Sequence, residues 1–398
     1  MTKHLQPKRS GFVLSMAMIA VIVLLILGAT LLEIGFNARL FAIRNTEQIK
    51  AQCAADSGMA KAICEMNQRL QEQSWDEYLL PRTLNETILN SEAAFTCTIT
   101  GDFRSGCSVE SRGTCGPSAK TVCASLRIHG PFDYAIAVQQ NVVMKPGSVI
   151  DGYNFASPQE KLKVVTASIL PMQIILAQST FLDGDVAVGV GGDPEAVICG
   201  PDATITGDKY PLTNDIEFPS VSVPQWLLNL PAQRVVGDSM TIAYSSNYDG
   251  ISLARGQVVT IDGPVTLYVS GNIDIGNSAQ IQINKDNPEA SLTIFLGGNI
   301  NCKNGGTINN LTEDPTRLKV FGLDSCTQLS VATAGSFYGG IYAPNATLNL
   351  KSSVELYGAF SVKQFLQGGS ANVHYDAALK NANLGDPGAK FRIKRWSE

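Results

Sequence analysis

An uncharged apolar stretch near the N-terminus constrains this chain more than any other feature. It runs from Phe12 to Leu32 and follows a basic segment that contains Lys3, Lys8 and Arg9. As a helix, these 21 residues would extend roughly 30 Å, at about 1.5 Å per residue, which matches the hydrocarbon core of a bilayer. The stretch is longer than the ~7–15 apolar residues of a secretory signal and lacks a small-residue cleavage site. We therefore predict a membrane-spanning helix at 12–32 rather than a discarded signal.

The basic residues before this stretch also predict its orientation. Positive charge is retained on the cytoplasmic side, so the leader 1–11 would face the cytoplasm and residues 33–398 the exterior. The expected location is the inner membrane, crossed once, with an extracytoplasmic C-terminal part. With 44% hydrophobic and 16% charged residues, that part can bury a sizeable core. A net charge of −5 gives no support to polyanion binding, and we predict no nucleic-acid partner.

The membrane helix is predicted to continue well beyond the lipid. There is no proline between Pro7 and Pro81, so one helix from about Phe12 to about Gln71 is expected, roughly 90 Å long. Its extracytoplasmic half, within 33–74, would carry an apolar stripe that packs on a domain or a partner helix. The residues of this predicted stripe are Ile49, Cys53, Ala60, Ile63 and Leu70.

Residues 1–70 resemble the type IV pilin and pseudopilin family, and most closely its PilX-type and K-type minor members. The string "AQCAADSGMA" is similar to the alanine-rich signature that follows the membrane segment in those proteins. The resemblance implies that prepilin peptidase cuts between Gly11 and Phe12 and that the new N-terminus is methylated. It also implies assembly with other pilin-like subunits and a final place at the cell surface or in a pilus. The matching signature residues are Ala51, Ala54, Ala55, Asp56, Ser57, Gly58 and Ala60.

One position departs from the family pattern. Major pilins have a glutamate five residues into the mature chain, which pairs with the N-terminal amine of a neighbouring subunit, and Met16 stands there in this chain. Among pseudopilins, the lack of this glutamate marks the subunit at the tip, so the analogy implies a tip or priming role. Glu33, just after the apolar stretch, is interpreted as a marker of the lipid–water boundary.

From about residue 131 to 380 the sequence consists of short alternating strands separated by Gly, Asn, Asp or Ser. Matching strands recur after 27 residues, from Val265 to Leu292, and after 26, from Leu292 to Leu318. Helix-free connections of this length are unusual between ordinary parallel strands but normal in a solenoid. We predict a parallel right-handed β-helix, with a β-sandwich as the alternative. The residues expected to point inward in one coil are Ile273, Ile275, Ile281 and Ile283.

A second resemblance covers roughly residues 215–380. The strings "FYGGIYAPNATLNL", "VELYGAFSV" and "VHYDAAL" look like the β-helical domain that often follows PilX-type helices. What that domain binds does not follow from the resemblance, and a surface or glycan ligand is one expectation. The residues that carry the match are Tyr338, Gly339, Gly340, Ile341, Tyr342, Ala343, Pro344, Asn345, Ala346, Tyr357, Gly358, Ala359, His374, Tyr375 and Asp376.

The cysteines suggest disulfides in the exported part. A connector or cap at 75–130 contains four of them, which we interpret as a stapled loop with undetermined pairing, with free thiols as the alternative. One further bridge between neighbouring coils is predicted for Cys302 and Cys326. Cys53 and Cys64 share a helix face about 16 Å apart and cannot bond to each other. The four cysteines of the predicted loop are Cys97, Cys107, Cys115 and Cys123.

Catalytic and metal-binding motifs are scarce in this sequence. No nucleophile elbow, zinc-protease motif or phosphate loop occurs, and we predict no catalytic residue, metal or cofactor. His374 is assigned a structural hydrogen bond. Asp183, Asp185 and Asp193 are assigned to a solvated turn because their spacing misses the calcium-binding repeat. The basic tail at 381–398 is given no role.

These observations lead to three functional hypotheses. The first is a non-enzymatic minor pilin-like subunit that displays a β-helix for adhesion or assembly. The second is a membrane-anchored β-helix that binds or cleaves glycans, with the helix as a tether. The third is a self-polymerising scaffold that resembles the bactofilins.

Overall fold

The computed structural model describes residues 12–71, 83–102, 106–233, 236–330, 335–351, 353–380 and 386–397. The protein is mainly β, with one long apolar helix at the N-terminus, as predicted. The described residues divide into two units. The first contains residues 12–66, 83–127 and 393–397, and the second contains residues 67–71 and 128–392.

The elements follow one another in this order. Helix α1 (Phe12–Gln71) precedes the strands β1 (Thr83–Thr87), β2 (Ala94–Asp102), β3 (Gly106–Cys115) and β4 (Ser118–His129). A first run of short strands follows: β5 (Ile136–Val138), β6 (Val142–Met144), β7 (Val149–Tyr153), β8 (Leu162–Thr166), β9 (Ile174–Leu176), β10 (Phe181–Leu182), β11 (Gly184–Val188), then helix α2 (Pro194–Val197), β12 (Ile198–Cys199), β13 (Thr204–Ile205) and β14 (Lys209–Pro211).

Helix α3 (Gln225–Leu228) precedes a second run of strands: β15 (Ala232–Gln233), β16 (Met240–Ile242), β17 (Ser246–Tyr248), β18 (Ile251–Leu253), β19 (Val258–Ile261), β20 (Pro264–Val269), β21 (Ile273–Ile275), β22 (Gln280–Ile283), β23 (Ser291–Leu296), β24 (Ile300–Cys302), β25 (Thr307–Asn310), β26 (Leu318–Gly322), β27 (Gln328–Ser330), β28 (Ser336–Leu350), β29 (Glu355–Gln367) and β30 (Asn372–Asp376). Two 3-10 helices lie at Pro315–Arg317 and Ala377–Lys380, and the last strand is β31 (Lys390–Ser397).

The first unit contains an antiparallel sheet where the sequence predicted a connector or cap. Strands β1 to β4 form a meander, and β31 lies at the edge beside β4, so the sheet order is β1-β2-β3-β4-β31. Side chains of β3 alternate between buried and more exposed positions along the strand, as expected when one face of a sheet is covered. The basic tail is therefore part of a sheet in its described residues 390–397.

The strands of the second unit pair in parallel in three stacks. We call one turn of the chain that supplies a strand to each stack a coil. The first stack contains β15, β17, β20, β23, β26, β28, β29, β5, β8, β11 and β14. The second contains β18, β21, β24, β27, β28, β29, β6, β9 and β12. The third contains the separate sheet β16-β19-β22-β25 and the strands β28, β29, β30, β7, β10 and β13.

The predicted repeat and the predicted inward residues are confirmed. Val265 pairs with Leu292, and Leu292 pairs with Leu318, in the parallel register that the sequence spacing indicated. The inward side chains of the coil at 273–283 have no exposed surface, and they join one continuous core. Each coil thus stabilises its neighbours through stacked aliphatic side chains.

The coils are stacked in an order that differs from their order in the chain. The coil at 355–376 pairs with the coil at 136–153 through Phe360 opposite Ile136, and Val373 opposite Ile150. The first coil of the chain, at 136–153, therefore lies in the middle of the stack, and the coils that follow it extend to one end at Pro211. Residues 212–231, which we call the return segment, then lead to the opposite end, where α3 contacts β17 and β20.

The return segment covers an outward face of the first stack. Ile216 and Phe218 pack on three buried outward residues of successive coils, Ala137, Val165 and Ala187. Further along, the Tyr342 hydroxyl donates a hydrogen bond to the carbonyl oxygen of Pro219 (2.7 Å), whereas Leu227 is fully buried as part of the main core. Apolar burial on this outer face adds a second, smaller core to the main core inside the stacks.

Candidate functional site

Helix α1 is the main candidate site because half of it is apolar and uncovered. It runs without a break from Phe12 to Gln71, as predicted. Among the described residues it is the one helix long and apolar enough to cross a membrane. From Val13 to Ile49 almost every side chain is exposed, and Met16 is 66% exposed. An exposed apolar surface of this extent is compatible with a membrane anchor.

The predicted processing site is described in part. Gly11 lies outside the described residues, and Phe12 is the first residue of the helix. Met16 and Glu33 are both exposed on this half of the helix. Glu33 is separated from Met16 by more than four helical turns, so these two positions belong to different levels of the helix.

The second half of α1 packs on the sheet through small residues. The buried face consists of Ala51, Ala54, Ala55, Gly58, Met59, Ala62, Met66 and Leu70. The predicted stripe is therefore wrong in four of its five positions. Ile49 is 57% exposed, Cys53 and Ala60 are exposed, and Ile63 is half-buried, whereas Leu70 is buried as expected.

Close approach of side chains of the sheet to the helix explains why this face consists largely of small residues. A Cβ atom at Gly58 would lie 2.4 Å from the Ser111 hydroxyl oxygen and 2.6 Å from the Phe95 ring. The alanine-rich signature thus functions as a flat face of α1 that accepts the sheet. Two of the other three signature residues make bonds within the helix: Gln52 Nε2 donates to Asp56 Oδ1 (3.2 Å), and the Ser57 hydroxyl donates to the carbonyl oxygen of Cys53 (2.7 Å). The third, Ala60, is exposed.

The stapled loop predicted from the four cysteines is wrong. Cys107 and Cys115 lie on the same face of β3, eight residues apart, and Cys97 lies opposite Ser111, which is midway between them. Neighbouring members of this set are thus roughly 13 Å apart along the strand, too far for a disulfide. Cys123 pairs with Glu110 and belongs to the opposite face of the sheet. Cys97, Cys115 and Cys123 are free thiols.

Cys302 and Cys326 are also free thiols in this structure, which does not contain the predicted bridge. Both are buried in the core of the coils. Burial raises the pKa of each thiol to about 12. They therefore behave as small apolar core residues rather than as reactive groups.

The three aspartates assigned to a solvated turn act as local acceptors. Asp183 Oδ1 accepts a hydrogen bond from the Thr206 hydroxyl (2.7 Å), and Asp185 Oδ1 accepts one from the Asp208 amide (3.0 Å). Asp193 caps α2 by accepting from the Glu195 amide. These bonds order the corners of neighbouring coils. No group of three or more potential metal ligands occurs among the described residues.

A ladder of aromatic rings on the third stack was not found by the sequence analysis. The rings of Tyr338 and Tyr357 stack with centroids 4.5 Å apart, and the rings of Tyr357 and His374 stack at the same distance. These residues lie in register on the adjacent segments of β28, β29 and β30. Tyr153 meets Tyr357 edge-on, with centroids 6.5 Å apart. These residues lie opposite one another on adjacent strands, and their alignment becomes visible only when the strand register is known.

His374 at the end of this ladder is held by two carboxylates. Its Nδ1 is 2.6 Å from Asp151 Oδ1, and its Nε2 is 2.9 Å from Glu355 Oε2. Burial by itself would lower the pKa of His374, but the hydrogen bonds to Glu355 and Asp151 outweigh it, and the pKa is raised. Both ring nitrogens are engaged, which agrees with the structural hydrogen bond predicted for this residue.

A small polar cleft lies between the start of the coils, the return segment and the C-terminal segment. Its volume is about 40 Å³, which suits one or two water molecules. His129 Nδ1 is 2.6 Å from Asp133 Oδ2 at its edge, and Lys390 forms an ion pair with Glu217. The cleft is too small for an organic ligand, so we assign it to the packing of these segments.

Comparisons with known proteins give limited matches. A family described as a domain of unknown function (DUF7305) matches residues 244–382, about a third of the chain, including the motif strings of the coil domain. No curated protein matches the chain. Among solved structures, the crystal structure of the competence-associated pilin ComZ from Thermus thermophilus aligns with 12% identity and a TM-score of 0.27, over 88% of this chain and 97% of that one. A likeness of this size does not establish a common fold.

Proposed function

We propose that this chain is a non-enzymatic minor pilin-like subunit of a type IV pilus or secretion pseudopilus that displays its coil domain for adhesion or assembly. The observation that carries the proposal is the division of α1. Its first half is apolar and exposed, whereas its second half docks on an antiparallel sheet through the alanine-rich signature.

The physical basis is that the same apolar surface suits two environments. In the inner membrane the exposed half of α1 is covered by lipid. In a filament it is covered by equivalent helices of neighbouring subunits, where close packing replaces lipid contacts. A domain docked on the second half travels with the helix between the two states. The expected partners are therefore the inner membrane, other pilin-like subunits and a prepilin peptidase that cuts before Phe12.

Met16 supports a place at the tip of the filament. A charged side chain within the apolar half is costly unless a partner charge is present. A subunit with Met16 has no such requirement, so it tolerates the absence of a neighbour above it. We place this chain at the tip or in a priming complex on that basis.

The three parallel stacks are proposed to form a right-handed β-helix. Crossovers between parallel strands of one sheet are right-handed in nearly all proteins, and the inward aliphatic columns are typical of a solenoid. The coils carry no group that we assign to catalysis. The engagement of both His374 ring nitrogens supports this assignment, because a general base needs a free nitrogen for its substrate.

The ends of the stack support a monomeric display domain over a self-polymerising scaffold. At one end, β14 ends in Pro211, which lacks an amide hydrogen for a further strand. At the other end, α3 contacts β17 and β20, and its Leu227 is buried. Such caps are the usual way in which solenoids avoid end-to-end association.

Processing is tested by replacing Gly11 with leucine. A Gly11→Leu variant should accumulate as a longer, uncleaved chain in the membrane fraction on a denaturing gel. Gly28→Leu is the matched control, because an added Cβ at Gly28 meets no atom within 4 Å and processing should be normal. Unchanged mobility of Gly11→Leu would contradict the proposal.

Replacing residues 12–32 with an unrelated single-pass helix separates the pilin-like subunit from a tethered glycan-binding or glycan-cleaving protein. A subunit should lose its association with pili or the secretion machine, although it is still inserted in the membrane. A tethered protein would keep its function, and that result would favour the alternative.

A further inference from the structure

The coil stack has one internal junction between segments that are distant in the chain. Strands β29 and β30 of the last coil pair with β5, β6 and β7 of the coil at 136–153. In the described part of the chain, all other neighbouring coils are consecutive in sequence. The two coils at this junction are not joined directly by the chain, so they can separate while each coil stays intact.

Polar side chains hold this junction at several points. Gln367 is buried and accepts hydrogen bonds from the Lys145 amide and the Ser148 hydroxyl (2.9 Å each). Asn372 Oδ1 accepts one from the Val149 amide (2.9 Å). Asn154 Nδ2 donates to Asp376 Oδ1 (3.0 Å). The amide and hydroxyl groups in these contacts carry no charge that changes near neutral pH.

His374 is the exception, because it can change its charge near neutral pH. As an imidazolium it donates from Nδ1 across the junction to Asp151, and from Nε2 to Glu355 on its other side. The ring also stacks on Tyr357, whose π face favours a cation. A neutral imidazole has one N–H, so it can satisfy only one of the two carboxylates.

The other charged groups near His374 do not compensate for a lost proton. Asp183 follows β10, which pairs with β7, and Asp376 lies two residues further along β30. Both are acidic, as are Glu313 and Asp314 near the ring ladder. The phenols of Tyr153, Tyr338 and Tyr357 have pKa values raised by burial, so they stay neutral near neutral pH. Loss of the proton therefore leaves carboxylates facing one another across the junction.

We propose that the His374 imidazolium is a proton-operated clasp that holds the last coil of the chain, 355–376, against the coil at 136–153. Protonated His374 closes the junction, and deprotonation weakens it. The clasp makes the middle of the coil domain more stable in acid than in alkali, whatever the domain binds.

The sign of the effect follows from the direction of the pKa shift. The pKa of His374 is raised in the closed state. Opening the junction removes the Asp151 contact and leaves the Glu355 contact within the last coil, so the pKa of His374 is lower in the open state than in the closed state. The stabilisation is fully present below the open-state pKa and is lost as the pH rises through the closed-state pKa. Each unit of pKa elevation corresponds to about tenfold in the equilibrium for opening.

Hydrogen exchange of the full chain in detergent, resolved by peptide and corrected for intrinsic rates, measures this equilibrium. We expect protection of peptides from β7 and β30 to fall between pH 5.5 and 8.5, by about tenfold for each unit of pKa elevation. Strands β20 and β23 belong to two coils that are consecutive in sequence. Their protection should stay constant and serves as the internal reference.

Two variants separate the clasp from a merely structural contact. In His374→Gln, the amide can still donate a hydrogen bond but does not titrate, so the pH dependence at β7 and β30 should disappear. Asp151→Asn should reduce the pH dependence of protection at β7 and β30 and keep the fold. It replaces His374→Gln as the test if that variant loses protection at β20 and β23. Constant junction protection in the natural chain, or an unchanged pH dependence in both variants, would overturn the proposal.

Discussion

Gly113 lies so close to Ala51 that a Cβ atom on Gly113 would be 2.0 Å from the Ala51 carbonyl oxygen. The same atom would be 2.4 Å from the Ala55 amide nitrogen. The sheet of the first unit therefore rests directly on the backbone of α1. This contact links the alanine-rich signature to the docking of the sheet.

Gly113→Ala should destabilise the first unit. The added methyl group meets backbone atoms that cannot rotate away, so we expect a loss of about 1–3 kcal/mol or more from overpacking. Hydrogen exchange of β2 and β3 amides at increasing urea measures this loss. Gly237→Ala is the control, because its nearest neighbour, the Ser252 carbonyl oxygen, is 4.0 Å from the added atom. Equal effects of the two variants would contradict the packing described here.

The end of the return segment offers a matched pair of neighbouring leucines. Leu227 is fully buried and Leu228 is 41% exposed. Leu227→Ala should cost about 2–5 kcal/mol through lost burial and a cavity, and Leu228→Ala should cost much less. Urea unfolding of the second unit measures both. Similar losses would show that α3 does not cover the end of the stack at β17 and β20 as described.

The ion pair between Lys319 and Asp386 is buried, with side-chain exposures of 8% and 7% and Nζ 2.7 Å from Oδ2. Lys319→Met should cost about 3–5 kcal/mol, because it removes the Lys319 cation from a buried carboxylate. Combining it with Asp386→Asn removes that charge, so the double variant should be more stable than the sum of the two single losses predicts. Additive losses in urea unfolding would argue against a coupled pair.

The cysteines should differ sharply in reactivity. Cys53 and Cys64 are exposed on α1, and we expect both to react with iodoacetamide in the native protein at pH 8. Burial raises the pKa of Cys97 to about 11 and those of Cys302 and Cys326 to about 12, so these three should react only after unfolding. Mass spectrometry without reductant should then find nine alkylated thiols. A pair of residues that stays unlabelled after unfolding would indicate a disulfide.

The helix and the coil repeat could be predicted from the sequence because both depend on local pattern. The proline-free run gave the bounds of α1, and the spacing of Val265, Leu292 and Leu318 gave the strand register. Alternation of isoleucine with polar residues gave the inward side chains of one coil. In each case the period of the side chains reports directly on the backbone.

Other features depend on contacts between residues far apart in the chain. The buried face of α1 was misassigned because hydrophobicity favoured Ile49, whereas the sheet requires the small side chains of Ala54 and Ala55. The antiparallel sheet was not predicted, because four cysteines in a glycine- and serine-rich segment suggested a disulfide-bonded loop. The junction of the last coil with the first, and with it the site of His374 and Asp151, joins residues 223 positions apart, which no local pattern indicates.

The mature N-terminus tests the central claim most directly. Intact-mass analysis and N-terminal sequencing of the protein purified from cells, together with its fractionation with pili or a secretion apparatus, provide the measurement. We predict a chain that begins with methylated Phe12 and co-purifies with such an assembly. A chain that retains Met1 and is found only as an isolated membrane protein would contradict the account.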